Sequence, residues 1–210
     1  MKKQNANARE RLVQTTGKLL RAQGYYATGL DEVLSRSSTP KGSLYHYFPG
    51  GKRQLADAAV RYMTDRMAKT LADVLRSTTD PAKALQRFLD GRAEDLAASS
   101  FTSGCPIATV TLETASDDAD LCNACSEGFE KLTQIFIDHL VTAGISSERA
   151  KPMATLFIAS WEGGLILSRA RQDVEPLKAV SRELANLMNA VVKDAKRGAR
   201  SLPIKARRKN

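Results

Sequence analysis

The feature that most constrains the fold is the spacing of apolar residues, which recur every three to four positions through most of the chain. This spacing places apolar side chains along one face of an α-helix. A strand-type alternation of apolar and polar residues is nearly absent, and proline and glycine are sparse. The sequence therefore predicts an all-α fold, with 210 residues available to build a substantial core.

Proline, glycine and capping residues mark the expected ends of the helices. Gly24 is a plausible end for the first helix, and Thr39 can cap a short helix whose first turn contains Pro40. Asp80 followed by Pro81 is typical of another helix start. The predicted helices cover residues 7–23, 30–36, 40–47, 52–76, 81–98, 105–115, 118–143, 148–172 and 176–197.

The segment TPKGSLYHYFPGGK, residues 39–52, concentrates large side chains in one short helix. Leu44 and Phe48 are four positions apart and share the inward face, together with Val33 and Leu34 of the preceding short helix. Two short helices joined by a turn and braced by a third form a helix-turn-helix, whose second helix enters the DNA major groove. The outward and flanking set is Lys41, Gly42, Ser43, Tyr45, His46 and Tyr47.

These outward groups suit DNA. Lys41 can reach guanine acceptors or a phosphate, and Ser43 can bond a base edge. A phosphate near Lys52 would meet both its ammonium group and the positive end of a helix. Core burial is the alternative for the aromatic residues. It fits Phe48, but the outward rings span too wide an arc of one short helix.

The net charge of +9 is unevenly distributed. Residues 1–76 contain 14 Lys and Arg against 6 Asp and Glu, residues 77–192 contain 10 against 16, and residues 193–210 contain 8 against 1. A basic front and an acidic middle indicate that the front meets a polyanion and the middle does not. Charge kept only for solubility explains this change of sign less well.

The segment TGLDEVLSRSSTPKGSLYHYFPGGKRQLADA, residues 28–58, resembles the helix-turn-helix of TetR-type transcriptional regulators. SGCPIATVTLETA and EGGLILSRARQDVEPLKAV resemble the subgroup with LmrA- and YxaF-type drug and flavonoid regulators and NemR-type electrophile sensors. The resemblance implies a homodimeric repressor that binds a palindromic DNA operator and is released by a small hydrophobic or electrophilic effector. It implies two domains, one for DNA binding over 7–67 and one for effector binding and dimerisation over 68–197. Residues 198–210 are rich in lysine and arginine, and this composition predicts a basic, disordered tail.

The resemblance also assigns DNA contacts to individual residues. Two positions depart from the family pattern, which usually has glycine at Ser38 and alanine at Leu34. These departures bear on how tight the turn is and leave its identity unchanged. The matching positions are Thr28, Thr39, Lys41, Ser43, Tyr45, Tyr47 and Lys52.

A pocket for a small molecule should be mainly apolar, with a few polar groups. Methionine adapts to many ligand shapes, although methionine and aromatic residues at helical spacing more often belong to plain core. The candidate pocket residues are Met63, Met67, Phe88, Cys105, Leu112, Phe129, Phe136 and Trp161.

Three cysteines without a signal peptide indicate free thiols. Cys105 is expected at a helix N-terminus, where a thiol pKa can be lowered, so a redox- or electrophile-sensing repressor is one hypothesis and a buried small hydrophobe is the alternative. Cys122 and Cys125 lack the partners of a zinc site or a thioredoxin-like motif. We expect no metal and no cofactor.

The last two helices carry much apolar surface, which favours pairing with their copies in a four-helix bundle. Gly163 would allow close approach of helices. The alternative is the ordinary core of a monomer. The candidate interface residues are Leu156, Gly163, Ile166, Leu167, Leu184, Leu187, Met188 and Val191.

Two other classes of protein compete with this interpretation. No nucleophile elbow, phosphate-binding loop or zinc-protease motif is present, which argues against an enzyme. A non-specific architectural nucleic-acid binder would depend on the basic tail. The chain has neither a secretory signal nor a membrane-spanning apolar run, so we expect no membrane partner and a cytoplasmic location.

Overall fold

The computed structural model describes the backbone of residues 2–201 and the side chains of residues 8–195 and 197. Throughout this part of the chain, α-helix is the only regular secondary structure, which confirms the all-α prediction. The nine helices found there are α1 (Lys2–Ala27), α2 (Leu30–Ser37), α3 (Lys41–Tyr47), α4 (Gly51–Arg76), α5 (Pro81–Ala98), α6 (Pro106–Thr114), α7 (Ala119–Thr142), α8 (Ser147–Arg171) and α9 (Glu175–Ser201).

The first three helices form a small bundle around the inner face of α3. Leu44 and Phe48 are buried there with Val33 of α2 and Leu12 of α1. Gly24 breaks the helical path of α1 with φ 83° and ψ −175°, which confirms the expected end of the regular helix. The inward face of the predicted helix-turn-helix is therefore correct.

The turn between α2 and α3 closes without glycine. Ser38 adopts the left-handed conformation, with φ 50° and ψ 45°, and the Thr39 amide donates to the Leu34 carbonyl oxygen at 3.1 Å. The guanidinium of Arg11 on α1 donates to the Ser37 and Ser38 carbonyl oxygens at 3.0 and 3.4 Å. These bonds hold the turn where the residue at position 38 is strained.

One capping prediction is wrong. Pro40, and not Thr39, occupies the N-cap position of α3, and no side chain caps that helix. The Thr39 hydroxyl donates instead to the Ser37 carbonyl oxygen at 3.2 Å. The prediction for α5 is confirmed, because the Asp80 side chain accepts from the amides of Ala82 and Lys83.

Helix α4 connects the small bundle to the helices that follow it. It packs against α1 on one side and against α5 and α7 on the other, while α9 packs on α5 and α8. The core between these helices is aromatic: Phe136 stacks on Phe157 with ring centroids 4.3 Å apart, and Trp161 meets Phe88 at 5.0 Å.

The C-terminal helix α9 continues to Ser201, into the segment expected to be a tail. The rest of that segment, 202–210, lies outside the described residues. Within residues 2–201, none of the helices combines the length and the apolarity needed to cross a membrane.

Candidate nucleic-acid interface and internal cavity

The exposed face of α3 carries most of the side chains predicted to contact DNA. Lys41, Gly42, Tyr45 and His46 are exposed, and Tyr45 keeps 47% of its surface accessible. Ser43 and Tyr47 are half-buried on the flanks. Buried Leu44 and Phe48 fix the helix from below, so this face presents donors and rings on a rigid base.

Two threonines expected at the same surface lie inside. Thr28 and Thr39 are both buried. The Thr28 hydroxyl donates to the Gly24 carbonyl oxygen at 2.5 Å, and the Thr39 hydroxyl is bonded within the turn. In this conformation both hydroxyls stabilise the backbone, which differs from the exposed contacts implied by the family resemblance.

Lys52 lies in the first turn of α4, as expected, and its side chain packs back on the chain. Its Nζ donates to the Tyr26 carbonyl oxygen at 3.2 Å and lies 4.6 Å from the centre of the Tyr25 ring. Burial lowers the pKa of Lys52, and the nearby carboxylate of Glu113 opposes that shift. Lys52 therefore links α4 to the segment that precedes α2.

A cavity of about 440 Å³ lies beside this bundle, between α1, α4, α5, α8 and the start of α6. Small-molecule sites commonly have volumes of this order. Of the eight predicted pocket residues, the structure places four in its wall, namely Met63, Met67, Cys105 and Trp161.

The other four predicted pocket residues lie elsewhere. Phe88 and Phe136 are buried in the aromatic core and do not line the cavity. Phe129 is half-buried on the outer side of α7, and Leu112 is 78% exposed on α6. Helical spacing identifies apolar residues correctly, but it does not reveal which side of a helix meets the gap between elements.

Sequence reasoning missed the charged part of the wall. Lys18, Arg21, Arg66, Arg92 and Asp95 all line the cavity. A signal was present, because Arg92 interrupts the apolar stripe of α5 between buried Phe88 and buried Leu96. A cationic side chain on the inward face of a helix indicates either a buried ion pair or a ligand-binding site.

Cys105 occupies the N-cap position of α6, as predicted, and its surroundings agree with the alternative of a buried small hydrophobe. The residue is only 4% exposed, and burial together with the nearby carboxyl of Glu162 raises the thiol pKa well above its usual value. Burial also raises the pKa of Glu162 to about 7, and its Oε1 has no hydrogen-bond partner among the described residues. The setting favours a neutral thiol over a reactive thiolate.

The other two cysteines show no sign of a site. Cys122 is half-buried, Cys125 is buried, and all three cysteines are free thiols. Among the side chains that the structure describes, no cluster of histidine, cysteine and carboxylate residues is suited to a metal ion.

The helices α8 and α9 each expose apolar side chains. Leu156, Ile166 and Leu167 are each about half exposed, and Leu187 is 36% exposed. Gly163 lies between them with open space where a Cβ atom would be. Of the remaining predicted interface residues, Leu184 and Met188 are buried and Val191 is half-buried.

Comparison with known families matches two parts of the chain. Residues 12–59 match the family described as "Bacterial regulatory proteins, tetR family". Residues 81–183 match "Transcriptional regulator LmrA/YxaF-like, C-terminal domain". The two matches correspond to the small N-terminal bundle and to the helices around the aromatic core.

Individual relatives agree with these matches. The chain is 34% identical over 182 residues to the "HTH-type transcriptional regulator LmrA" of Bacillus subtilis (strain 168), covering 87% of this chain and 97% of that one. A regulatory protein TetR from Rhodobacter sphaeroides shares the fold, with a TM-score of 0.77, 23% identity, and coverage of 85% of this chain and 97% of that one. The TetR family regulator CifR, solved as a cysteine mutant with 26 bp operator DNA, has a TM-score of 0.72, 17% identity, and coverage of 84% of this chain and 94% of that one.

Proposed function

The chain belongs to the TetR family of transcriptional regulators, and on that premise we propose that it is a homodimeric repressor released from its DNA operator by a small effector. We assign DNA binding to residues 7–67, and effector binding and dimerisation to residues 68–197. The single observation that carries the DNA-binding assignment is the exposed face of α3, held from below by buried Leu44 and Phe48.

The proposed contacts on that face divide by type. Lys41, Tyr45 and Tyr47 bond phosphates and sugars and so position the helix in the groove. Ser43 and His46 face base edges, and Gly42 lets the backbone approach, since a Cβ atom there would meet no other atom. Thr28, Thr39 and Lys52 contribute to DNA binding indirectly, because they fix the backbone where α2, α3 and α4 begin.

The proposed effector site is the cavity, because it touches the DNA-binding bundle directly. The Arg21 guanidinium of α1 donates to the Gly104 carbonyl oxygen at 2.9 Å, and the Gly104 amide donates to the Arg21 carbonyl oxygen at 3.1 Å. At the other end of α6, the carboxylate of Glu113 accepts from the amides of Tyr25 and Tyr26 at 2.7 and 2.9 Å. A ligand that displaces α6 therefore pulls on the segment that leads into α2.

Electrophile sensing through Cys105 receives less support. A buried thiol with a raised pKa is poorly placed to react as a thiolate. The cavity with its adaptable methionines favours reversible binding of a small molecule instead.

The test is binding of the full chain to the DNA upstream of its own gene, beside scrambled DNA, at ~150 mM salt, near physiological ionic strength. We expect tight binding to the upstream DNA alone, weakened about 10-fold or more by Tyr45→Ala through lost contacts to the DNA. Lys41→Gln should weaken binding and lower the salt dependence by about one phosphate contact.

The matched control is Val141→Ala, which trims an exposed apolar side chain on α7 and should leave DNA affinity unchanged. If the protein binds both DNAs equally, operator-sized fragments from the rest of the genome are tested as competitors for the bound protein. The proposal is contradicted if none of these fragments competes either. Unchanged affinity of Tyr45→Ala would remove α3 as the recognition helix.

A further inference from the structure

The cavity wall is rich in positive charge and poor in carboxylates. Lys18, Arg21, Arg66 and Arg92 come from α1, α4 and α5, and among the described residues of the wall Asp95 is the one carboxylate. Asp95 is paired with Arg92 at 2.9 Å. The wall therefore carries more cationic groups than its own acid can neutralise.

Two of these cations are partly withdrawn from water. Arg21 is half-buried, and burial and the neighbouring guanidinium of Arg92 lower its pKa more than Asp95 and Cys105 raise it. The Nε of Arg92 is buried and has no acceptor among the described residues. Like charges held together at low solvent exposure are costly unless an anion joins them.

A neutral donor in the same wall also lacks a partner. Trp161 is fully buried, it lines the cavity, and its Nε1 has no acceptor among the described residues. Buried polar groups in folded proteins are nearly always hydrogen-bonded. The Nε1 atom itself is closed to the cavity, so acceptor atoms of a ligand would meet the partly exposed guanidinium groups of Arg21 and Arg92.

The remaining wall is apolar and adaptable. Met63, Met67, Leu165 and the ring of Trp161 surround a space of about 440 Å³, enough for a two-ring body. We propose that the cavity takes an aromatic carboxylate, whose negative group binds between Arg21 and Arg92 while its rings lie against the methionines and Trp161. This inference rests on the proposed function, since it names the chemical class of the effector for that site.

The first test compares two probes of equal shape on the full chain by isothermal titration calorimetry. The probes are 2-naphthoate and its neutral counterpart 2-naphthamide. We expect naphthoate to bind at least about 10-fold more tightly, because charge-assisted bonds to guanidinium are the strong ones. Equal or tighter binding of naphthamide would overturn the proposal, as would failure of naphthoate to bind at millimolar concentration.

The second test changes the charge of the wall in both directions. Arg92→Gln should weaken the binding of naphthoate about 10-fold. Asp95→Asn frees Arg92 from its ion pair and should therefore tighten the binding of naphthoate. Arg87→Gln is the matched control, because it removes a cation from the same helix outside the cavity and should change nothing. If Asp95→Asn weakens naphthoate, or Arg92→Gln leaves it unchanged, the anion does not bind as proposed.

The two proposals fail separately. Specific binding of the ligand-free protein to operator DNA tests the regulator alone, and calorimetry without DNA tests the ligand class alone. Intact operator binding together with a preference for naphthamide would contradict only the proposed class of ligand. Tight binding of naphthoate without operator binding would contradict only the proposed regulatory function.

Discussion

At the scale of single residues, Glu162 combines burial with an ionisable group. Its Oε1 is closed to solvent and unpaired among the described residues, and burial raises its pKa from the ordinary value of 4.5 to about 7. The thiol of Cys105 provides a hydrogen bond that partly opposes this rise. The folded protein therefore prefers Glu162 protonated, while the unfolded chain ionises it at lower pH.

The sign of the pH effect follows. Below pH 4.5 both states hold the proton, and as the pH rises towards 7 only the unfolded state loses it, so stability falls through this window. We expect the free energy of unfolding of Glu162→Gln to show no such fall. Above pH 7 it should exceed that of the parent by at most about 3 kcal/mol. Urea unfolding at several pH values measures the difference, with exposed Glu94→Gln as control. A constant difference across the window would contradict the assignment.

The thiols should react in order of their access. Cys122 is half-buried, whereas Cys105 is buried with a raised pKa, so iodoacetamide should alkylate Cys122 first in the folded protein. Mass spectrometry of the labelled peptides measures the order, and labelling in denaturant is the control. Faster labelling of Cys105 would return thiol sensing to consideration.

Sequence reasoning succeeded at residues whose role follows from helical spacing and failed where it depends on packing between elements. Leu44 and Phe48 are four positions apart, which fixes their common inward face. Thr28 is buried where α1, α2 and α4 pack together, and spacing within one helix does not show this. Arg21 and Arg92 converge from different helices, a proximity that spacing within one helix does not contain.

At the scale of elements, the end of α1 is built by a contact from α6. Gly24 has φ 83° and ψ −175°, a conformation essentially limited to glycine. This path points the next two amides at Glu113. The end of the helix was predictable from the glycine, but its carboxylate partner, 89 positions away, was not.

We expect Gly24→Ala to destabilise the fold by about 1–3 kcal/mol through backbone strain alone. A Cβ atom there would also lie 1.8 Å from Oε1 of Glu113, so the added methyl must displace that carboxylate. Gly91→Ala is the matched control: a Cβ atom on this helical glycine meets open space, and alanine should stabilise α5 by about 0.5–1 kcal/mol. Thermal unfolding that shifts both variants in the same direction would contradict this account.

At the scale of the whole molecule, α8 and α9 leave an apolar surface uncovered. Exposed Leu156, Ala159, Ile166 and Ala170 recur on α8 at alternating spacings of three and four residues, with Gly163 in the same row. Such a row suits close packing against another helix. We propose that a second copy of the chain, related by a two-fold axis, packs the same row against it and so brings two recognition helices to a palindromic site.

We therefore expect Ile166→Glu and Leu167→Glu to convert a dimer into a monomer, because each places a carboxylate where apolar surface would be buried. Size-exclusion chromatography with light scattering measures the mass, and operator affinity should fall with it, since each half-site then meets a separate molecule. Val141→Glu is the control: it adds the same charge at an exposed apolar position on α7 and should leave the dimer intact. A parent chain that is a monomer at micromolar concentration would contradict the dimer itself. If the α8 variants stay dimeric while Val141→Glu dissociates, the interface lies elsewhere.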